Sequence, residues 1–95
     1  MNISTALKQA RKEKGYKQCQ VAAGCNITQT YLSQIEGGLK VPSMEVVENI
    51  AKFYGTPMAI MFWRSIEEKD VPKKKLSYFR SIKPAVDDLI NSVFE

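Results

Sequence analysis

Between residues 15 and 57 the chain is cut repeatedly by residues that stop or start helices: Gly15, Asn26, Gly37 and Gly38, Ser43, Gly55, then Thr56 and Pro57. Glycine takes positive φ without steric cost and asparagine tolerates it, so Gly15 and Gly55 read as left-handed stops and Asn26 as a tight turn. The Gly37–Gly38 pair closes a third helix. Thr28, Ser43 and Thr56 offer capping hydroxyls, and Pro57 suits a first helical turn. No interval between these marks alternates apolar and polar residues as a half-buried strand does. The N-terminal part of the chain is therefore expected to be all-α.

Periodicity fills the intervals with five helices. Helix one is expected from Ser4 to Lys14 with Leu7, Ala10 and Ile3 inward, and helix two from Gln18 to Cys25 with Val21, Ala22 and Cys25 inward. Lys17 is a poor cap for helix two. Helix three is expected from Gln29 to Glu36. In helix four, Met44, Val47, Ile50, Ala51 and Tyr54 recur at helical spacing, and helix five turns Met58, Met61 and Phe62 inward.

At 95 residues, 44% of them hydrophobic, the chain has material for one compact core rather than two. Its net charge of +4 favours a polyanionic partner but is also that of an ordinary solvated surface. No apolar run is long enough to span a bilayer and no secretion signal opens the chain, so a cytoplasmic protein is expected. Cys19 and Cys25 lie in one helix with α-carbons ~9 Å apart, beyond disulfide reach; Cys25 reads as a small core residue and Cys19 as half-exposed.

Helix three carries the most specific chemical signal. Leu32 and Ile35 define its buried side, Thr30, Ser33 and Gln34 lie opposite, and Gln29 and Tyr31 hold the flanks. Any solvated helix is polar outside, but this face is neutral and small. A glutamine amide can bond adenine in two places, Ser and Thr hydroxyls can donate or accept, and the Thr methyl can touch a thymine methyl. Two short helices joined by a tight turn, the second polar outward, form a helix-turn-helix whose second helix enters the DNA major groove.

Residues 4 to 62 resemble the lambda-repressor-like, or Xre-type, helix-turn-helix family. The resemblance is carried by Arg11, Gly15, Gln18, the pair Val21–Ala22, "TYLSQIEGG" from Thr30, and Pro42–Ser43. It implies an all-α, five-helix DNA-binding domain over residues 1–64. It also implies that Gln18 bonds a phosphate and orients Gln29, and that Thr28, Gln29, Thr30, Ser33 and Gln34 meet bases or adjacent phosphates. Tyr31 falls at the sugar-phosphate edge, Lys40 as a phosphate clamp and Lys17 as a weaker one. Arg11 and Glu36 match a family pair that forms a partly buried ion pair. Departures from the pattern are Lys17 at a capping position, Cys19 where an acidic residue is common, and Asn26 where glycine is common.

The resemblance does not reach residues 65–95, which are read directly. Glu67 to Val71 is expected to be a linker, followed by one helix from Pro72 to Ile82 and another from Pro84 to Phe94. Val86, Leu89, Ile90, Val93 and Phe94 fall within a ~140° arc, and Leu76, Phe79 and Ile82, with Ile60 and Trp63 on helix five, add apolar surface. Such a tail either packs on its own chain or builds a homodimer. The dimer is the expectation, because one helix reads few base pairs and two domains on an inverted repeat read more.

Rival functions have less support. The chain has no histidine and no glycine-rich phosphate loop, its two cysteines do not make a zinc set, and Asp87 and Asp88 point ~100° apart, so neither an enzyme nor a metal or other cofactor is expected. The stronger rival is a protein-interaction module of the same fold, such as an antitoxin whose tail holds a partner protein. A phage repressor, a restriction-system controller and an antitoxin all remain open on these residues.

Overall fold

The computed structural model describes residues 1–94, and their α-carbon contacts divide into two compact units. The first, Asn2–Ser65, holds α1 (Ile3–Lys14), α2 (Gln18–Gly24), α3 (Gln29–Glu36), α4 (Met44–Tyr54) and α5 (Met58–Ser65). The second, from Ile66 onward together with Met1, holds two short 3-10 turns (Glu68–Asp70 and Lys73–Lys75) and α6 (Leu76–Phe94). No strand occurs among the described residues. None of the helices described is long and apolar enough to cross a membrane.

The first four helices end the same way. A residue with positive φ follows each one: Gly15 at 78°, Asn26 at 56°, Gly38 at 78° and Gly55 at 68°. Beyond it, a backbone N–H reaches back five residues, from Tyr16 to Arg11 O, Ile27 to Ala22 O, Leu39 to Gln34 O and Thr56 to Ala51 O. The left-handed residue itself donates three residues back in every case, so orphan carbonyls are satisfied by one recurring closure. Starts are capped by Asn2, Thr28 and Ser43, whose side-chain oxygens accept from the N–H of Thr5, Tyr31 and Val46. Lys17 has no such oxygen. Instead Gln20 Oε1 accepts from the Lys17 N–H at 2.8 Å, supplying half of a capping box from the other side.

The core of this unit is built from Leu7, Ala10, Val21, Ala22, Cys25, Leu32, Ile35, Ile50, Ala51, Tyr54 and Met61, with Val47 and Ala6 also buried. Helix α1 packs on α3 and α5, and α2 packs on α3 and α4. The Asn2 N–H donates to Ser65 O at 2.7 Å, and Arg64 pairs with Glu13 at 2.8 Å, so the C-terminal end of α5 is tied to both ends of α1. Met44, expected inward, is exposed: it is the first residue of α4, one turn before Val47, where the core begins to cover the helix. The Cys25 thiol donates to Asn49 O at 3.7 Å and burial pushes its pKa up, whereas Cys19 is exposed; both are free.

In the second unit the expected linker contains the Glu68–Asp70 turn, closed by the Glu67 N–H donating to Asp70 Oδ2 at 2.8 Å. Arg80 grips Glu68 with two bonds of 2.7 and 2.9 Å, tying that turn to α6. The two expected tail helices are one, continuous through Pro84. Proline removes an N–H and costs about 3 kcal/mol inside a helix. Pro84 lies on an exposed face, where water can satisfy the carbonyl left without a donor, and eight helical residues before it and ten after it hold the helix.

Gly24 marks the closest approach of α2 to α4. A Cβ there would stand 2.2 Å from Phe53 Cε2. The Phe53 ring packs against both Tyr16 and Tyr54, with centroids 5.0 and 5.8 Å away, so moving it aside disturbs those contacts. Gly24→Ala is therefore expected to destabilise the protein by about 1–3 kcal/mol through overpacking, against the ~1 kcal/mol that alanine gains in an ordinary helix. Thermal unfolding of Gly24→Ala, alone and with Phe53→Leu, checks the cause: the second substitution should recover part of the loss.

Candidate nucleic-acid interface

One carboxylate organises the outward face of the helix-turn-helix. Glu36, the last residue of α3, has a side chain only 2% exposed, and Arg11 of α1 closes on it with Nε 2.9 Å from Oε2 and Nη2 3.0 Å from Oε1. Arg11 Nη1 donates to Tyr16 O at 3.0 Å, fixing the loop between α1 and α2. Gln18, the first residue of α2, donates from Nε2 to Glu36 Oε1 at 3.1 Å. Three elements thus meet on one buried anion. Because an ionised carboxylate only accepts, the Gln18 amide nitrogen must face Glu36, which turns its oxygen away from it.

Beside that network lies an open groove of about 330 Å³ lined by Gln18, Gln29, Thr30, Ser33 and Gln34. Thr30 and Ser33 are exposed and Gln34 half-buried, with Gln29 and Thr28 exposed at the start of α3. The Thr28 hydroxyl is engaged as the cap of α3. Gln18 bonds Glu36 rather than Gln29.

At the far end of α3, Leu39 and Lys40 donate their backbone N–H groups to Gln34 O at 2.9 and 3.2 Å, which fixes the loop onto the helix. Lys40 Nζ stands 5.8 Å from the centre of the Tyr31 ring, a cation–π placement. That contact has no trace in the spacing of the two residues, since it depends on the left-handed turn at Gly38. Lys17 is exposed at the opposite end, before α2.

A helix-turn-helix profile, HTH_3, matches residues 7–61. The chain belongs to this family. It is a DNA-binding transcription regulator of the lambda-repressor-like type. The cryptic phage CTXphi transcriptional repressor RstR of Vibrio cholerae is 31% identical over 92 residues, 97% of this chain and 81% of that protein. The ImmF control region 10 kDa protein of Bacillus phage phi105 is 39% identical over 49 residues, 52% of this chain and 54% of the relative. The HTH-type transcriptional regulator DdrOP3 of Deinococcus deserti is 33% identical over 55 residues, 58% of this chain and 43% of its own length. The family profile stops short of α6.

The five apolar residues of the tail arc, and Leu76 and Phe79 before it, differ in burial. Ile90 is buried, Leu76, Phe79, Val86 and Phe94 are half-buried, and Leu89 and Val93 are exposed. Tyr78 and Ile82, outside that arc, are exposed as well.

Two predictions follow from the buried carboxylate. Removing one partner of a buried ion pair leaves the other uncompensated, so Glu36→Gln and Arg11→Met should each lose about 3 kcal/mol of stability in denaturant unfolding. The double variant Arg11→Met with Glu36→Leu should recover much of it while leaving Gln18 unanchored. The second concerns pH. Burial, with Glu36 nearby, pushes the Tyr54 phenol well above its ordinary value near 10. Below that value both folded and unfolded chains hold the proton. Above it the unfolded chain releases the proton first, so stability falls as pH rises past about 10. Tyr54→Phe should flatten that part of the stability profile, measured by denaturant midpoints from pH 8 to 11.

Proposed function

We propose that the chain is a repressor that binds a two-fold related operator in duplex DNA as a homodimer, with α3 of each copy in the major groove. The observation that carries this reading is the uncharged polar groove of Gln18, Gln29, Thr30, Ser33 and Gln34 beside a buried anchor. Charged groups there would bind any phosphate backbone; amides and hydroxyls discriminate between base edges. Gln18, held by Glu36, keeps one N–H for a phosphate and an oxygen for the Gln29 amide, which leaves Gln29 oriented for a base. Lys40, steadied over Tyr31, and Lys17 are phosphate contacts at opposite ends of the motif. Half-site centres on such an operator lie about one helical turn, ~34 Å, apart. On this reading the protein acts in the cytoplasm and its action calls for neither a cofactor nor catalysis.

A second reading, a module that engages a partner protein, is favoured by one feature. Leu39 and Val41 stand 81% and 88% exposed on the loop after α3, with Met44 exposed beside them. Replacing Leu39 and Val41 by serine should leave operator binding unchanged if they serve only a partner.

Selection of genomic fragments by the purified protein tests the main reading; retention no better than bulk DNA at moderate salt would overturn it. On the selected operator, Gln29→Ala and Gln34→Ala should each cost roughly 1–3 kcal/mol at a single base position and relax preference there. Lys40→Ala should weaken all sequences alike and lower the salt slope by about one. Equal losses on operator and random DNA for the glutamine variants would show that they read no base.

A further inference from the structure

The face of α6 that remains uncovered has a pattern of its own. Tyr78 is 68% exposed, Ile82 37%, Leu89 64% and Val93 62%. With the exposed Ala85 between them, these positions fall within a roughly 80° strip about 22 Å long, at helical spacings of four, three, four and four. The strip is self-complementary under reversal. A two-fold axis passing between Ala85 and Val86 sets Tyr78 level with Val93 of a second copy and Ile82 level with its Leu89, large apolar groups facing large apolar groups. At the axis stands the small Ala85, which lets two helices approach closely.

Charge selects the direction. Lys73, Lys74 and Lys75 stand at the N-terminal end of α6, while Asp87 and Asp88 lie in its second half. Parallel helices would place the two lysine runs side by side. Antiparallel helices place each lysine run away from the other. The charges also oppose the helix dipole, with cations before the N-terminus, and an antiparallel neighbour offsets that as well.

We propose that Tyr78, Ile82, Leu89 and Val93 form a two-fold interface on which α6 of a second copy lies antiparallel. This rests on the homodimer reading above and assigns it a surface. It differs from the arc read in the sequence: Leu89 and Val93 stay, Tyr78 and Ile82 join, and Ile90 leaves because it is already buried. The interface is isologous, so each residue acts twice.

Single cysteines in a Cys19→Ser background test the register, Cys25 being buried. Chains with Tyr78→Cys and chains with Val93→Cys should form few disulfide dimers separately and many, at least ten-fold more, when mixed and oxidised. Tyr78→Cys alone linking as well as the mixture would mean parallel helices and would overturn the proposal. Leu89→Lys, at an exposed site, should keep its far-UV helicity yet weaken self-association at least ten-fold in sedimentation. A Leu89→Lys chain that still sediments as a dimer like the parent places the interface elsewhere: the surface assignment fails and the homodimer stands. A parent chain that occupies a single half-site as one copy, and is monomeric in solution, removes the homodimer and the interface together.

Discussion

The recognition side of the molecule is built around the Glu36 carboxylate, held where water barely reaches it. A buried charge is costly unless it is paired and hydrogen-bonded. Arg11 offers Glu36 two converging N–H groups and Gln18 a third. The geometry is bidentate, which suits arginine and would not suit lysine. Such a pair adds little net stability compared with well-packed apolar residues, since desolvation consumes most of the attraction. Its value lies in position. The same carboxylate fixes the end of α3, the first side chain of α2 and, through Arg11, the loop between α1 and α2, so one ionic contact ties the two helices of the motif together on their polar side.

The other side of that loop is held by ring packing. Tyr16 follows the left-handed Gly15 and stacks with Phe53 at 5.0 Å and Tyr54 at 6.0 Å. Tyr54 lies close enough to Glu36 and Arg11 to respond to both charges. The loop is thus clamped between α4 and the ion pair, and Gly24 lets α2 settle directly against the Phe53 ring. A rigid helix-turn-helix needs both supports, because α2 and α3 are seven and eight residues long and would not be stable helices alone.

How much of this was legible follows from what each feature depends on. The five helices of the first unit, the stops at Gly15, Asn26 and Gly55, and the caps at Thr28 and Ser43 are local, and local sequence carries them. Periodicity separated Leu32 and Ile35 from the polar face of α3 for the same reason. Lys40 over Tyr31 and Gly24 against Phe53 depend on how elements meet, and no spacing encodes them. Pro84 misled because proline usually ends a helix; here its exposed setting lets the helix continue. In the tail, the wheel found an apolar arc but could not tell which part of it was already covered. Tyr78 was passed over because its hydroxyl makes it an ambiguous member of any stripe, whereas its exposure is a property of the folded chain.

The scale of base recognition explains why a weak α6 interface would suffice. Each good amide-to-base contact contributes roughly 1–3 kcal/mol of discrimination, and specific sites stand about 4–10 kcal/mol above bulk DNA. On the proposed reading, the two glutamines and few hydroxyls of a single α3 would reach the lower end of that range, and two copies would span it. Apolar side chains contribute roughly 1.5–3 kcal/mol each when fully buried, but association costs on the order of 4–15 kcal/mol before any surplus appears. A strip of four partly exposed side chains per copy therefore leaves a small surplus in solution. On the adjacent half-sites of the proposed operator most of that cost would be met by the DNA, which would hold both copies at high effective concentration. Pairing through such a strip would make occupancy rise steeply with protein concentration, the response a repressor needs in order to switch.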